Sequence, residues 1–519
     1  MKNLRKFVLN ALLLCAVSFL MRTVGVSFSV YVSNRAGAET MGLYSLLSGV
    51  YGFALTLATS GVSLATMRLV SEALGIGDTT RVKRSLRACL IYSLSFGGGA
   101  TVLLFLLADP AARYLLDDIR TATPLRILAF SLLPISLTSV FNGYFTAVRR
   151  VYKNAAVQVA EQAIRIFSIS YFLTLLLPSG IEHACIALAL GGVIADFSSF
   201  LFSLLAFLTD QKKHLGKNSV PNDTKCDNSF FQKLLGIALP VAFSAYARSG
   251  LVSLEHALIP LGLRKSGKSR EKALAAYGTL HSMVLPIILF PSALIYSFSG
   301  LLVPEITECR VRDNKRQIRY ISERVLQLSL LFSVGVSGIM LFFSEELGDV
   351  IYPGMETAGF LRLLAPLIPI MYIDAGIDAI LKGMGKQVYS MAVNILDAGL
   401  SVILVWFLLP RMGINGYIVT VYITETVNTT CSLAKLLSIS GMKPKLFKWL
   451  LKPLLSIIGA TCSANLLLRF LNGGIGGVMR LVLHILLVCF LYVFFLLFCN
   501  AIDKEDIDWI GGIFRKKSS

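Results

Sequence analysis

Ionisable side chains inside long apolar stretches are where this sequence can do chemistry, and they are few: Arg22, Glu161, Arg165, Asp196, Arg248, Glu255, His281, Asp374, Asp378, Asp397, Glu425 and His484. A charge placed in hydrocarbon is costly, so each needs a partner, a proton or a hydrated cavity. Glu161 and Arg165 stand four residues apart, on one helical face, which fits an ion pair. A self-neutralising structural pair and a role in transport both remain open for them. Asp374 and Asp378 share that spacing with like sign and repel unless a cation or proton sits between them. Na+ or H+ coupling is one reading; a hydrated helix end beside Lys382 is the other. Asp397 and Glu425 complete the acidic group of candidate ion-coupling or cavity residues. Arg22 and Arg248 have no acidic residue within one turn, and Glu255 lies two turns beyond Arg248 on a similar face. Two unneutralised guanidiniums facing water would favour an anionic headgroup, since guanidinium binds phosphate in a bidentate fork. Snorkelling, or pairing with an acid of another helix, is the competing account. No nucleotide-binding Gly-x-x-x-x-Gly-Lys-Ser/Thr loop, Gly-x-Ser-x-Gly elbow or His-Glu-x-x-His motif is present, so an enzyme is not expected.

The elements that must position these residues follow from hydropathy. Of 519 residues 55% are hydrophobic and 15% charged, with a mean hydropathy of +0.71, whereas soluble chains carry roughly 25% charged residues. A bilayer core needs roughly 20 apolar residues per helix. Fourteen runs approach or exceed that length: 7–32, 41–66, 86–108, 123–147, 154–177, 184–208, 231–260, 274–303, 321–343, 358–381, 388–409, 413–434, 449–470 and 478–501. The first follows a basic start, Met1 to Lys6, but continues to Val32 without a small-residue cleavage site, and reads as a retained span. The net charge of +19 is spread over loops with no soluble basic domain, which excludes a nucleic-acid partner. Nine cysteines without a C-x-x-C pair read as free thiols, so neither a disulfide framework nor a metal site is expected, and no cofactor.

Cytoplasmic loops carry the excess of Lys and Arg. With the N-terminus inside, 33 of the 49 basic residues fall in inside segments and 11 in outside loops, which places both termini in the cytoplasm. One outside loop dissents, with Arg264, Lys265, Lys268, Arg270 and Lys272. The chain also repeats. Leu125-Arg126-Ile127-Leu128-Ala129 recurs as Leu361-Arg362-Leu363-Leu364-Ala365, Pro134-Ile135 as Pro369-Ile370, Val151-Tyr152 as Val388-Tyr389, and Glu161 aligns with Asp397. Six spans per copy is an even number, so the copies enter the membrane in the same sense. The expected fold is therefore an all-α integral membrane protein of 14 transmembrane helices: an N-lobe over 1–208, a cytoplasmic linker over 209–228, a parallel C-lobe over 229–437, and two further helices with a cytoplasmic tail over 438–519. Two similar lobes can rock about a site held between them, which is the geometry of alternating access.

Several motifs then resemble a known family. Arg22, Gly25, Arg35, Gly37 and Gly42-Leu43-Tyr44 look like the opening of polysaccharide flippases in the multidrug/oligosaccharidyl-lipid/polysaccharide exporter superfamily. Ser253-Leu254-Glu255, Leu258-Ile259-Pro260, Ala275-Ala276-Tyr277-Gly278, Leu285-Pro286, Phe290-Pro291 and Leu301-Leu302-Val303-Pro304-Glu305-Ile306 resemble its stage V sporulation protein B subgroup. The resemblance implies two six-helix lobes plus a final pair that holds a polyprenyl tail, and movement of undecaprenyl-diphosphate-linked saccharides across the cytoplasmic membrane. It implies headgroup-binding arginines in the opening span of the first lobe and early in the second; Arg22 matches the first and Arg248 approximates the second. The expectation is a monomeric plasma-membrane flippase whose partners are a lipid-linked saccharide and membrane lipids, with Arg22, Arg248, Glu255 and Arg165 at the headgroup and Glu161, Asp374, Asp378, Asp397 and Glu425 coupling an ion. A cation-coupled multidrug exporter, a polyprenyl-saccharide ligase or polymerase, and a non-transporting envelope or spore assembly protein are the alternatives. The enzyme needs a large external catalytic loop that this chain lacks.

Overall fold

The computed structural model describes residues 2–59, 61–76, 79–214, 228–442, 445, 447–470 and 477–501, which are helical with short turns and contain no strand. Apolar runs become helices because a helix satisfies its backbone polar groups within one segment, the condition for crossing hydrocarbon. In chain order these are α1 (Lys2–Thr59), α2 (Val62–Ile76), α3 (Thr79–Pro110), α4 (Ala122–Ala147), α5 (Val151–Leu176), α6 (Ile181–His214), α7 (Asn228–Lys265), α8 (Arg270–Gly278) and α9 (Leu285–Leu289). They continue with α10 (Ala293–Val311), α11 (Lys315–Phe342), α12 (Ser344–Ile351), α13 (Ala358–Leu364), α14 (Ile368–Gly383), α15 (Gln387–Met412), α16 (Ile414–Ser440), α17 (Lys452–Phe470) and α18 (Gly477–Phe498).

Among the described residues, 11 helices are long and apolar enough to span a membrane. The difference from the fourteen runs has identifiable causes. The first two runs fall within one candidate span, Phe19–Leu74, and the runs at 231–260 and 413–434, helical as α7 and α16, are not among the eleven. Thr424, Glu425, Asn428 and Thr429 dilute α16. Polar residues of this kind mark helices that face protein or a hydrated interior.

The chain forms two compact units, one of residues 31–278 with 402–413, the other of 1–30 with 279–401 and 414–519. This partition differs from the one drawn on the repeat: residues 1–30 join the later unit, and 228–278 the earlier. The cuts fall before the α1 kink at Gly37 (φ 81°, ψ 165°) and where α8 gives way to the π-helical turn Thr279–Val284.

In the earlier unit α4 packs against α2, α3 and α6, and α5 against α6, around a core of Tyr92, Phe141, Tyr144, Phe145, Phe207 and Leu234. The helix α6 runs through Asp210 to His214, so 209–214 is helix where a linker was expected. Asp210 is 3% exposed and accepts from Tyr144 Oη at 2.9 Å, from Lys153 Nζ at 2.6 Å and from Arg150; three donors compensate its burial and hold the end of α6 in place. Residues 215–227 of the expected linker lie outside the described set, as do 502–519 of the tail. In the later unit α11 packs against α10, α14, α17 and α18, and α14 against α16. The final helix pair docks on α11 through Tyr492 Oη, which donates to the Leu331 carbonyl at 2.7 Å.

Candidate functional site

Arg22 lies in the later unit, half-buried on α1, beside a broken helix. Pro291 has no N–H and its ring cannot follow a helical turn, so the span containing α9 and α10 is interrupted between Leu289 and Ala293. Backbone bonds shorten to i→i−3 there: the Phe290 amide donates to the Ile287 carbonyl at 3.3 Å, and the Ala293 amide to that of Phe290 at 3.2 Å. Side chains serve the bypassed carbonyls. Arg22 Nη2 donates to Leu289 O at 3.0 Å, Ser292 Oγ to the same oxygen at 2.6 Å, and Tyr372 Oη to Ile288 O at 2.5 Å. Phe19 packs on Phe290 at 5.8 Å between ring centroids. Arg22 makes no ion pair with a carboxylate among the described residues.

The acidic candidates of this unit gather around Tyr296, whose hydroxyl is within electrostatic reach of Asp374, Glu425, Arg22 and Asp378. Asp374 and Asp378, read either as sharing a cation or proton or as a hydrated helix end beside Lys382, have separate partners. Asn428 Nδ2 donates to Asp374 at 3.4 Å, while Asp378 pairs with Lys382 at 2.5 Å and accepts from Ser390 Oγ. Asp397 lies half-buried on α15 of the same unit.

In the earlier unit Arg165 pairs with Glu161 at 2.7 Å, the i, i+4 bond read from spacing, and also with Asp196 of α6 at 2.8 Å. Tyr44 and Tyr51 stand within electrostatic reach of Arg165 and Asp196, and Tyr51 Oη bonds Ser131 Oγ at 2.5 Å. This guanidinium is thus held by two carboxylates. Arg248, on α7, is exposed and has no side-chain partner among the described residues. Glu255 is half-buried and within electrostatic reach of the buried Tyr277.

The sequence model for a family described as polysaccharide biosynthesis protein matches residues 7–309. The chain belongs to this family. A second model, MatE, matches residues 266–407. The chain is 28% identical to stage V sporulation protein B of Bacillus subtilis (strain 168) over 444 residues, 84% of this chain and 85% of that protein. It is 22% identical to lipid II flippase MurJ of the same organism over 434 residues, 77% of each. Among solved structures, lipid II flippase MurJ in an inward closed conformation superposes with a TM-score of 0.70 at 13% identity, covering 94% of this chain and 99% of that one. An inward-facing multidrug resistance MATE family transporter of the MOP superfamily superposes at 0.65 with 14% identity, over 83% of this chain and 100% of that one. The chain is thus similar to stage V sporulation protein B, to a lipid II flippase and to a multidrug resistance transporter.

Two of the motifs that resemble the family, Gly42-Leu43-Tyr44 and Ala275-Ala276-Tyr277-Gly278, meet within the earlier unit. A Cβ on Gly42 would lie 2.0 Å from the Leu274 carbonyl oxygen, and one on Gly278 2.2 Å from that of Ala38, so α8 approaches α1 as closely as glycine allows. Ser253 Oγ donates to Gly49 O at 2.6 Å, and His256 bonds Tyr277.

Charge counting found no reason for the basic segment 264–272. Arg264 pairs with Asp117, and Arg270 with Asp118 at 2.9 Å and with the Asp117 carbonyl. Arg120 joins Asp118 at 2.8 Å and Glu39 at 3.4 Å. Lys265 lies over the Trp406 ring at 4.7 Å. The adjacent acids Asp117 and Asp118, between α3 and α4, were the available signal.

Proposed function

We propose that this protein is a flippase that moves an undecaprenyl-diphosphate-linked saccharide, a peptidoglycan or polysaccharide precursor, across the cytoplasmic membrane by alternating access. The observation that carries the reading is Arg22: a half-buried guanidinium in an apolar span, hydrogen-bonded to a neutral carbonyl and without a carboxylate partner among the described residues. It keeps its charge available for a phosphate, which guanidinium binds in a bidentate fork. The exposed Arg248 is the second headgroup cation, with Glu255 two turns along α7 supporting it; Arg165, between Glu161 and Asp196, is left to a structural part. Of the acidic candidates, Asp374, Asp378, Asp397 and Glu425 take the coupling Na+ or H+, while Glu161 is held by Arg165. This reading gives the chain fourteen spans, in two parallel six-helix lobes with a final pair, a count that the sequence repeat supports. In this reading the chain works as a monomer in the plasma membrane, with both termini in the cytoplasm. One charge crossing the membrane is worth about 2.3 kcal/mol per 100 mV, enough to drive the cycle through the membrane potential or an ion gradient.

The test is transbilayer movement of a labelled undecaprenyl-diphosphate-linked saccharide in proteoliposomes. Arg22→Ala and Arg248→Ala each slow it at least tenfold; wild-type rates in both overturn the assignment. A cation-coupled multidrug exporter is the second reading, favoured by the MatE match over 266–407, which includes Asp374, Asp378 and Asp397. Cation-dependent efflux of a cationic dye, without movement of the lipid, would select it.

A further inference from the structure

We propose that Arg22 is also the latch of the break between α9 and α10, and that an arriving diphosphate opens it. The inference rests on the headgroup reading above and adds a consequence within the protein. In the structure the guanidinium occupies the Leu289 carbonyl, which Pro291 and the i→i−3 turn leave without an amide donor from the turn. A diphosphate offers charged, bidentate acceptors, and charge-assisted bonds of that kind are about twice as strong as a bond to a neutral acceptor. When the headgroup takes the guanidinium, Leu289 O keeps Ser292 Oγ and has a second donor one residue away. The Ala293 amide, now bonded to Phe290 O at 3.2 Å, can return to Leu289 O in the ordinary i→i−4 pattern.

The break then has two hydrogen-bond registers. One is held by Arg22, the other is adopted when Arg22 is occupied, and the diphosphate binds the two with different affinity, which is what a ligand needs in order to shift an equilibrium. The Pro291 ring keeps the span bent in both. Tyr372, bonded to Ile288 O, fixes the preceding carbonyl, so the change is confined to Leu289–Ala293 and passes directly into α10, whose Tyr296 is within electrostatic reach of Asp374 and Asp378 on α14 and Glu425 on α16. Headgroup capture and the candidate ion site are thereby joined by one short, bistable segment.

The experiment is amide hydrogen exchange of the full chain in lipid nanodiscs, with undecaprenyl diphosphate as probe and undecaprenol as the uncharged control, alongside a direct binding measurement. Saturating diphosphate changes exchange over 289–296 at least threefold in the wild type, and undecaprenol does not. Pro291→Ala binds diphosphate within about threefold of wild type but loses the exchange response, since a restored amide makes the helix continuous. Tyr372→Phe retains the response and spreads it toward Ile288. Diphosphate binding with unchanged exchange over 289–296 in the wild type overturns the latch and leaves the headgroup reading standing. Absence of diphosphate binding overturns both.

Discussion

The two compact units share a peripheral ion pair and differ at their centres. Arg126 pairs with Asp109 in one, and Arg362 pairs with Glu345 at 3.0 Å in the other; both residues of the pair recur at an offset of 236, so the duplicated Leu-Arg motif makes the same bond twice. Away from that pair the two units hold an arginine differently. Arg165 is clasped between Glu161 and Asp196, whereas Arg22 rests on a backbone carbonyl and its acidic neighbours are distributed around Tyr296. A guanidinium between two carboxylates is satisfied and costly to disturb, because removing it strands two partly desolvated negative charges. One resting on a neutral carbonyl can be recruited. The same residue type therefore fits a structural role in one unit and a binding role in the other.

The largest expected effect sharpens that contrast. A charge-assisted hydrogen bond is worth about 1.5–3 kcal/mol, so Arg22→Ala should slow lipid-linked saccharide movement roughly 10- to 100-fold. Its thermal unfolding in detergent should stay close to wild type, because Ser292 still serves Leu289. Arg165→Ala should do the reverse, lowering stability by about 2 kcal/mol, below the range for a fully buried pair because Arg165 is partly exposed. Adding Glu161→Gln and Asp196→Asn should recover most of that loss. If Arg22→Ala unfolds the protein and Arg165→Ala leaves its melting unchanged, the comparison is inverted.

How much of this was legible in the sequence depends on whether a partner lies on the same helix. The Glu161–Arg165 bond follows from spacing alone, but Asp196 joins it from another helix, and no local pattern announces that. The spacing of Asp374 and Asp378 suggested a shared cation, yet Asn428 and Lys382 separate their roles. Arg22 was conspicuous as an unneutralised charge, and Pro291 as a breaker. That the one serves a carbonyl released by the other is a tertiary fact. Hydropathy found the helices but not where the compact units divide, since the cuts fall inside α1 and at the α8 end, where apolar sequence is uninterrupted. The basic segment 264–272 defied charge counting because its acids come from a turn more than a hundred residues earlier.

A smaller effect is expected from the acids near Tyr296. Glu425→Gln and Asp374→Asn should each shift the Na+ or H+ concentration giving half-maximal transport several-fold, with less change in the maximal rate. Glu161→Gln, whose charge is already spent on Arg165, should leave that concentration in place. Equal shifts for Glu425→Gln and Glu161→Gln would erase the distinction between a coupling group and a structural one.

The smallest effect tests the feature that the units have in common. Both residues of each repeated pair are substantially exposed, 44% and 43% for Arg126 and Asp109, 56% and 69% for Arg362 and Glu345. Exposed pairs contribute about 0.2–1 kcal/mol and lose it to salt, since screening acts over roughly 3 Å at 1 M ionic strength. Arg126→Ala and Arg362→Ala should therefore lower thermal stability by similar small amounts at low salt and by nothing measurable at 1 M. A large, salt-resistant loss in one alone would mean that its Arg has acquired a further role since duplication, and the equivalence of the two rims would fail with it.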